Sequence, residues 1–309
     1  MQKSGYSIQS PAAVVVVRPH HFTVNTETAA DNRFQVLAAE SDDLAGIAYR
    51  EISEAAATLE THGVRVHLFE DESRETPDSV FPNNWFSTHA GGHVAIYPMK
   101  AESRRRERRT DIISLLKTHY RVQDIIDYSG LEPDGLYLEG TGAMVLDHID
   151  RVAYAVRSDR TDPIALERFC THFNFEPMVF EAHDEAGSPI YHTNVLMCVG
   201  THFAMIGLDM IADGRRRAEI VHRLERSGRQ VIGLSNDQIR RFAGNALELQ
   251  GTSGRLLALS HTAYAALDEA QLSTIHAHVE TVAIDISTIE KAGGSVRCTL
   301  AGIHLTPRV

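Results

Sequence analysis

The sequence is poor in cysteine and has no long apolar run. Three cysteines occur among 309 residues, and the wide spacing of Cys170, Cys198 and Cys298 provides neither a disulfide framework nor a CxxC metal pair. The longest valine-rich run, residues 12–17, is far shorter than the roughly 20 residues that span a bilayer. The first thirty residues also lack the pattern of a signal peptide. We therefore expect a cytoplasmic protein that does not contact membranes.

Basic residues are also in deficit. The chain has 30 Lys and Arg against 41 Asp and Glu, a net charge of -11, and such a field repels nucleic acid. The longest basic run, RRRERR at residues 104–109, precedes an apolar pattern. We interpret this run as the solvated first turn of an amphipathic helix, so we expect no nucleic-acid partner.

Motifs for cofactors are absent as well. The sequence has no HExxH motif, and His89 and His93 alone are poor zinc ligands. The Gly140-Thr-Gly142 turn lacks the third glycine of a dinucleotide fingerprint, and no phosphate-binding P-loop occurs. We therefore expect no metal and no nucleotide cofactor.

The hydrophobic pattern alternates between strands and helices throughout the chain. Strands come in pairs between the helices, which favours repeated ββαβ units in an α/β protein over a strict βαβ series. Five units of about 62 residues would close a ring. No linker or change of composition interrupts residues 1–309, so we predict a single domain. The predicted helices cover residues 41–62, 110–120, 163–173, 214–226 and 268–279, and the predicted strands include 12–17, 85–88, 94–97, 143–146, 152–156, 195–199 and 203–206.

A candidate nucleophile lies near the C-terminus. Cys298 follows Gly293 and Gly294, which permit close backbone approach, and Arg297 beside it favours the reactive thiolate. The alternative is that Cys298 is a small apolar residue in a buried terminal strand. Cys170 and Cys198 lie in apolar patterns typical of the core.

Two other segments offer groups that can serve a thiolate. His192 can carry a proton, and Asn194, two residues later, lies on the same side if the chain is extended. Glu139 ends a predicted strand at a glycine-rich turn, where it can orient an imidazole. Because the chain has seventeen histidines, neither segment is specific by itself.

A polar and aromatic loop at residues 77–86 leads into a strand. Its Asp78, Phe81 and Asn84 combine an apolar wall with fixed polar groups, as a substrate clamp does. The alternative is that the aspartate and asparagine only shape turns, because both bond readily to their own backbone.

Together these segments resemble the guanidine-modifying, or pentein, superfamily, which includes arginine deiminases, dimethylargininases and amidinotransferases. Within it, the chain is most similar to the bacterial citrulline-utilisation hydrolases. The resemblance implies a five-bladed α/β propeller of ββαβ units with pseudo-fivefold symmetry, an active site in the central channel and no cofactor. It extends over nearly the whole chain, and the segments that carry it are PDSVFPNNWF from Pro77, LEGTG from Leu138, YHTN from Tyr191, GNALEL from Gly244 and GGSVRC from Gly293.

The resemblance also implies catalytic roles. Cys298 matches the nucleophile, His192 the general acid and base, and Glu139 the carboxylate paired with that histidine. Cys298 would attack the central carbon of a guanidino or ureido group, and His192 would protonate the leaving nitrogen and then activate water. Glu139 would stabilise the imidazolium.

Two positions depart from the arginine-processing relatives. Dimethylargininases have an acidic residue where this chain has Asn84, and arginine deiminases have His-x-Asp where this chain has His192-Thr193-Asn194. A guanidinium only donates hydrogen bonds and is best held by carboxylates, whereas a ureido oxygen needs a donor such as an amide. Asp78, Phe81, Asn84 and Asn194 are therefore the predicted substrate-binding residues, and citrulline is the predicted substrate.

Other functions stay open at this point. The same residues fit a deiminase or dimethylargininase that acts on a guanidino substrate, an amidinotransferase in which an amine replaces water, or a binding module without catalysis. The expected partner is a small amino acid. A homodimer would be an ordinary assembly.

Overall fold

The computed structural model describes residues 8–36 and 43–308. Within these ranges the strands form five three-stranded sheets. Each sheet has one strand that lines a central cavity, one middle strand and one outer strand. In that order the sheets contain Ala301–Gly302, Ala13–Pro19 and Arg65–Asp71; Phe86–His89, His93–Ile96 and Asp124–Asp127; Met144–Asp147, Val152–Val156 and Glu176–Phe180; Met197–Val199, Phe203–Ile206 and Gln230–Gly233; and Leu247–Gln250, Arg255–Ser260 and Glu280–Ile284.

Each sheet is a ββαβ unit. The inner and middle strands pair antiparallel, as in the Phe86–His89 hairpin with His93–Ile96, and the outer strand pairs parallel to the middle one. A helix connects the middle strand to the outer strand, as parallel pairing requires. These connecting helices are Leu44–Thr61, Thr110–His119, Pro163–Phe173, Gly214–Arg226 and Glu269–His276. The five sheets confirm the predicted pentein fold of ββαβ units.

The two ends of the described chain meet in one unit. The C-terminal strand Ala301–Gly302 pairs antiparallel with Ala13–Pro19, which in turn pairs parallel with Arg65–Asp71. The first unit is therefore completed by the last strand. This closure places Cys298, three residues before that strand, beside segments from the N-terminal half of the chain.

The first connecting helix shows how the sequence determines an element. Asp43 caps Leu44–Thr61 by accepting from the Gly46 amide, and Ala48, Ile52, Ala55, Ala56 and Leu59 form its buried face. Gly63 follows with φ +81°, a conformation that favours glycine after a helix. The helix was predicted over 41–62. Ser41, at its predicted start, lies outside the described residues.

Shorter helices provide the turns between the larger elements. Among them, Gly140–Ala143, Thr193–Leu196 and Val296–Thr299 are single turns that lead directly into inner strands, and the 3-10 turn Pro82–Asn84 does the same. The remaining short helices are Glu102–Arg105, Asn236–Arg240, His261–Tyr264 and Ser287–Glu290, with further 3-10 turns at Thr26–Thr28, Ser129–Asp134 and Leu208–Met210.

Most predicted elements lie within a few residues of the observed ones. The helices Pro163–Phe173 and Gly214–Arg226 and the strand Val152–Val156 have the predicted bounds. The strand predicted over 195–199 is wrong in its first half, because the helical turn Thr193–Leu196 precedes the strand Met197–Val199. No helix of the described residues is long and apolar enough to cross a membrane.

The interpretation of the basic run is also wrong. The helix begins at Thr110, after the run, and Arg104 lies in the separate short helix Glu102–Arg105 with only 2% of its surface exposed. Arg104 forms ion pairs with carboxylates instead of facing solvent. The basic run therefore contains a buried arginine, because Glu107 of the run itself and Asp78 and Glu139 from other segments surround it.

Candidate active site

The predicted site residues converge because they occupy equivalent positions in different units. Asn84, Asn194 and Cys298 lie in the turns that lead into the inner strands, and Glu139 and His192 directly precede two of these turns. Such turns point toward the centre of the ring. The resulting catalytic cavity encloses about 270 Å³ of empty space, and its lining includes Asp78, Phe81, Asn84, Arg104, Arg160, His192 and Cys298.

Cys298 lies in the single-turn helix Val296–Thr299 with 3% of its surface exposed. Its Sγ atom is 3.3 Å from Nδ2 of Asn194 and 3.2 Å from Nδ2 of Asn245. Both amides donate to sulfur, and two donors stabilise a thiolate better than a neutral thiol. The alternative, an apolar residue within a terminal strand, does not fit, since Cys298 lies in a helical turn before that strand and lines the cavity.

His192 is buried and hydrogen-bonded to Glu139. The distance between its Nε2 and Oε2 of Glu139 is 2.8 Å. A carboxylate accepts, so Nε2 carries the proton and Nδ1 is the free basic nitrogen. Burial lowers the pKa of His192 to about 4, although Glu139 opposes this shift. The imidazole is therefore neutral at physiological pH and able to accept a proton.

Glu139 holds its negative charge in a fully buried position. Burial alone would raise the pKa of Glu139, but Arg160 and His192 outweigh it and hold this pKa well below its ordinary value. Arg160 Nη1 lies 3.3 Å from Oε2, and the amide of Lys100 donates to Oε1 at 3.1 Å. Glu139 precedes the helix Gly140–Ala143 and does not end a strand as predicted.

Asp78 and Phe81 come from the turn before the second sheet. Oδ2 of Asp78 accepts from Asn25 at 2.8 Å, whereas Oδ1 is buried without a partner among the described residues. Burial raises the pKa of Asp78, and Arg104 partly offsets this shift. The Phe81 ring packs on Gly294, where an added Cβ would lie 2.8 Å from ring carbons.

Asn84 has a fixed orientation. Its Oδ1 accepts from Nη1 of Arg104 at 2.8 Å, and a guanidinium can only donate. The NH2 group of Asn84 must therefore face the other way. There it is buried without a partner in the part of the chain that the structure describes. An added Cβ on Gly142 would lie 2.2 Å from this nitrogen and 2.8 Å from Nδ1 of His192.

The sequence predicts that Asn194 faces the site because the chain is extended from His192 to Asn194, and this reason is wrong. His192 has an extended backbone, but Asn194 lies in the helical turn Thr193–Leu196. The turn directs its amide at Cys298, and its Oδ1 has no partner among the described atoms. The structure thus places Asn194 against the sulfur.

Sequence reasoning missed three residues of the site. Asn245 was included in a matching segment but was given no role, and its amide bonds Sγ of Cys298. Arg104 was considered only for its charge and then set aside as solvated. Arg160 had no signal, because its partners Asp31 and Glu139 are distant in the sequence. An asparagine two or three residues before an inner strand, as at Asn84 and Asn194, is the signal that points to Asn245.

The arrangement can support covalent hydrolysis. It combines a buried sulfur between two amide donors, a neutral imidazole with a free nitrogen and a carboxylate that can stabilise the imidazolium. Unpartnered donor and acceptor atoms remain at Asn84 and Asp78. Buried polar groups without partners cost free energy, about 1 to 3 kcal/mol each, so these atoms are suited to a polar ligand.

Solved structures share the fold. The apo structure of ArgZ, an arginine dihydrolase from the ornithine-ammonia cycle in cyanobacteria, has a TM-score of 0.73 at 16% identity over 96% of this chain and 41% of that chain. Unliganded AgrE has a TM-score of 0.76 at 16% identity, covering 96% of this chain and 40% of that chain. The chain thus spans about two fifths of the length of each of these two proteins.

A dimethylarginine dimethylaminohydrolase adduct has a TM-score of 0.63 at 13% identity, covering 94% of this chain and 99% of that chain. No curated protein sequence matches significantly. Residues 18–305, however, match the sequence profile of the eukaryotic N,N-dimethylarginine dimethylhydrolases. The chain therefore belongs to the dimethylarginine dimethylhydrolase family of the pentein superfamily.

Proposed function

We propose that the chain hydrolyses citrulline to ornithine, ammonia and carbon dioxide, with Cys298 as nucleophile. The observation that carries this proposal is the orientation of Asn84. Arg104 occupies its oxygen, so the cavity receives an NH2 donor beside His192. A ureido group has a carbonyl oxygen that can accept from this donor, whereas a guanidinium has no acceptor.

Two arginines of the cavity can hold the other end of the substrate. Arg104 and Arg160 line the cavity together with Asp78. Both arginines are paired with carboxylates, Arg104 with Glu107 and Arg160 with Asp31 and Glu139, so their charges are balanced. Their remaining N–H groups can still donate to the α-carboxylate of an amino acid. The preference for a ureido group therefore rests on the hydrogen-bonding groups of the cavity.

Asp78 provides the complementary acceptor. Its unpartnered Oδ1 can accept an N–H of the ureido group, while Asn84 donates to the ureido oxygen. The two side chains lie in the same cavity and together would fix the plane of the group. The reacting carbon would then face Cys298.

The first half of the reaction forms a thiocarbamate. Neutral His192 accepts the thiol proton at Nδ1, and Sγ of Cys298 attacks the ureido carbon. His192 then donates its proton to the terminal nitrogen, the C–N bond breaks and ammonia leaves. Glu139 stabilises the imidazolium during these steps, and the amides of Asn194 and Asn245 stabilise the thiolate.

The second half releases the enzyme. His192 takes a proton from water, the resulting hydroxide attacks the thiocarbamate carbon and the C–S bond breaks. The products are the Cys298 thiol and the carbamate of ornithine. The carbamate takes up a proton and decomposes to ornithine and carbon dioxide. The water oxygen therefore leaves in carbon dioxide.

Product analysis tests this proposal. Purified protein is incubated separately with citrulline, arginine and asymmetric dimethylarginine, and ammonia and amino acids are quantified. We expect ornithine and ammonia from citrulline, no activity in Cys298→Ser, and full activity in Cys170→Ser. Cys170 is the matched control because it is buried in the helix Pro163–Phe173, away from the cavity lining, and burial raises its pKa to about 12.

A second candidate is hydrolysis of a methylated arginine. The free Oδ1 of Asp78 favours it, since a carboxylate is the best acceptor for a guanidinium. If the protein forms citrulline from dimethylarginine or arginine but no ornithine from citrulline, its substrate is a guanidino compound and not a ureido compound. Turnover of all three compounds by Cys298→Ser would refute the covalent mechanism itself.

A further inference from the structure

A second cavity lies further along the inner strands, beyond the catalytic turns. It has an empty volume of about 600 Å³ and shares no lining residue with the catalytic cavity. Each of the five sheets contributes to its wall through its inner strand, for example through Thr88, Leu146, Cys198, Leu247 and Gly302. This far cavity is therefore the continuation of the central channel.

The far cavity is lined by positive and neutral groups. Arg297, His148 and His304 are its titratable side chains other than Cys198. An adjoining cavity shares Pro11, His148 and His304 with it and adds Arg65 and Arg151. No carboxylate lines either cavity in the described ranges. This is unexpected in a chain with a net charge of -11.

Arg297 is half-buried and differs from the fully buried arginines of the protein. Arg104 pairs with Glu107, Arg160 with Asp31, and Arg229 with Asp147. Proteins normally pair buried charges in this way, because an unpaired buried charge is costly. Arg297 has no carboxylate within ion-pair distance among residues 8–36 and 43–308. Its hydrogen bond runs from Nη1 to the Leu300 carbonyl, at 3.1 Å.

The electrostatic consequence is visible in the neighbouring groups. Burial lowers the pKa of Arg297 to about 10, so the guanidinium stays charged at neutral pH without a compensating anion. Burial also lowers the pKa of His304 to about 4, and the charges of Arg297 and Arg151 contribute. The rings of His148 and His304 stack with centroids 3.9 Å apart. The charged groups that line this cavity and the adjoining one are therefore arginines, with no facing carboxylate in the described ranges.

We propose that the far cavity binds a small oxyanion, with inorganic phosphate as its simplest representative, through the guanidinium of Arg297. The planar guanidinium offers two parallel N–H donors that match the oxygens of phosphate. A neutral His148 ring on the same wall can supply one further N–H donor. An oxyanion would thus provide the countercharge that this part of the protein interior does not.

Isothermal titration calorimetry with phosphate in a chloride-free buffer tests the proposal. We expect saturable binding to the wild type and a loss of affinity of about tenfold or more in Arg297→Gln, because this substitution removes the charge-assisted hydrogen bonds to the anion. Arg215→Gln is the matched control and should bind like the wild type, since this arginine has 89% of its side chain exposed on another helix.

Two further variants assign the location. Phosphate affinity should persist in Arg160→Gln, which removes a charge from the catalytic cavity alone. Arg297→Lys keeps the charge without the paired donors and should bind more weakly than the wild type, which provides a test if Arg297→Gln does not fold. Three results would overturn the proposal. The wild type does not bind phosphate, the folded Arg297 variants bind it as tightly as the wild type, or Arg160→Gln no longer binds it.

Discussion

The amide Nδ2 of Asn245 lies 3.2 Å from Sγ of Cys298 and also donates to the Asn194 carbonyl at 2.9 Å. Both hydrogens of this NH2 group are therefore used, and the orientation of the amide is fixed. The nitrogen, not the oxygen, faces the sulfur. Asn245 thus acts as a preorganised donor for the charge on the thiolate, in the way that an oxyanion hole serves an oxygen.

Replacement of Asn245 should therefore impair the chemical step. We expect Asn245→Ala to lower kcat about 10²-fold, as loss of one preorganised donor typically does, while KM changes little. The rate of Cys298 alkylation by iodoacetamide at fixed pH should fall in parallel. Asn245→Asp should be more severe, because it places a negative charge next to the sulfur.

Asn236→Ala is a control for the loss of an asparagine elsewhere in the same unit. Asn236 lies in the short helix Asn236–Arg240, bonds Glu185 at the surface and is remote from the cavity lining. It should retain the wild-type kcat. If Asn245→Ala lowers the thermal stability but leaves the rate of Cys298 alkylation unchanged, Asn245 is only a structural residue.

The pH dependence should reflect the buried imidazole. The pKa of His192 is about 4, below its ordinary value. His192 therefore stops acting as a base only when the pH falls to about 4 and its imidazole becomes protonated. The acidic limb of kcat/KM is expected near pH 4 instead of near 6.5. A pH–rate profile with citrulline checks this. An acidic limb near 6.5 would mean that the imidazole is solvated in the free enzyme.

The same shift predicts a stability effect. Between pH 6.5 and 4 the unfolded chain binds a proton at His192 that the folded chain does not, so the free energy of unfolding falls as pH decreases through this window. Burial has the same effect on His304, whose pKa is also about 4. His304→Gln should reduce the slope of unfolding free energy against pH, as measured by urea denaturation at several pH values. An unchanged slope would contradict the burial of that ring.

Much of the fold could be predicted from the sequence because its signals are local. The apolar run at residues 152–156 and the helical pattern at residues 163–173 predict elements with the observed bounds. Strand pairing around helices also predicted the ββαβ unit. The single helical turns could not be predicted, because four-residue helices such as Thr193–Leu196 have no periodicity and depend on tertiary contacts.

The catalytic residues were found through motifs, and their partners were not. Cys298, His192 and Glu139 lie in recognisable segments, and the structure brings them into one site. Arg160 and Arg104 depend on carboxylates up to 129 positions away in the chain, as in the pair of Arg160 with Asp31. A sequence pattern does not carry information about such pairs, so these arginines and their carboxylate partners come together only in the folded protein.

Gly142 is a sensitive position of the site. A Cβ atom there would lie 2.2 Å from Nδ2 of Asn84 and 2.8 Å from Nδ1 of His192, so Gly142→Ala must displace both groups. Misplacement by about 1 Å can reduce the rate about 10²-fold, and we expect kcat of Gly142→Ala to fall by this order. Gly130→Ala is the control, since no atom lies within 4 Å of its Cβ. Equal kcat in both variants would contradict the close approach of Gly142 to Asn84 and His192.

Binding of an oxyanion in the far cavity should affect the catalytic sulfur. Arg297 precedes Cys298 in the same helical turn, and its positive charge favours the thiolate. Phosphate bound to Arg297 would offset this charge. We expect saturating phosphate to slow alkylation of Cys298 in the wild type and to have no effect in Arg297→Gln. The rates are measured at constant pH and ionic strength, and equal slowing in both proteins would assign the effect to another site.

The orientation of Asn84 leads to a test of substrate preference. In Asn84→Asp one oxygen can keep the bond to Arg104, and the other replaces the donor beside His192 with an acceptor of nearly the same size. The ureido oxygen then faces a negative charge, whereas a guanidinium gains a partner. We expect the ratio of kcat/KM for citrulline to that for arginine to fall at least about tenfold, since one such hydrogen bond is worth about 1.5–3 kcal/mol. The double variant with Asn194→Asp should shift the ratio further, although the second carboxylate beside Cys298 lowers both rates.

Asn83→Asp is the control, because Asn83 is buried next to Asn84 but does not line the cavity. If Asn84→Asp and Asn83→Asp leave the ratio equally unchanged, the amide of Asn84 does not select the ureido group.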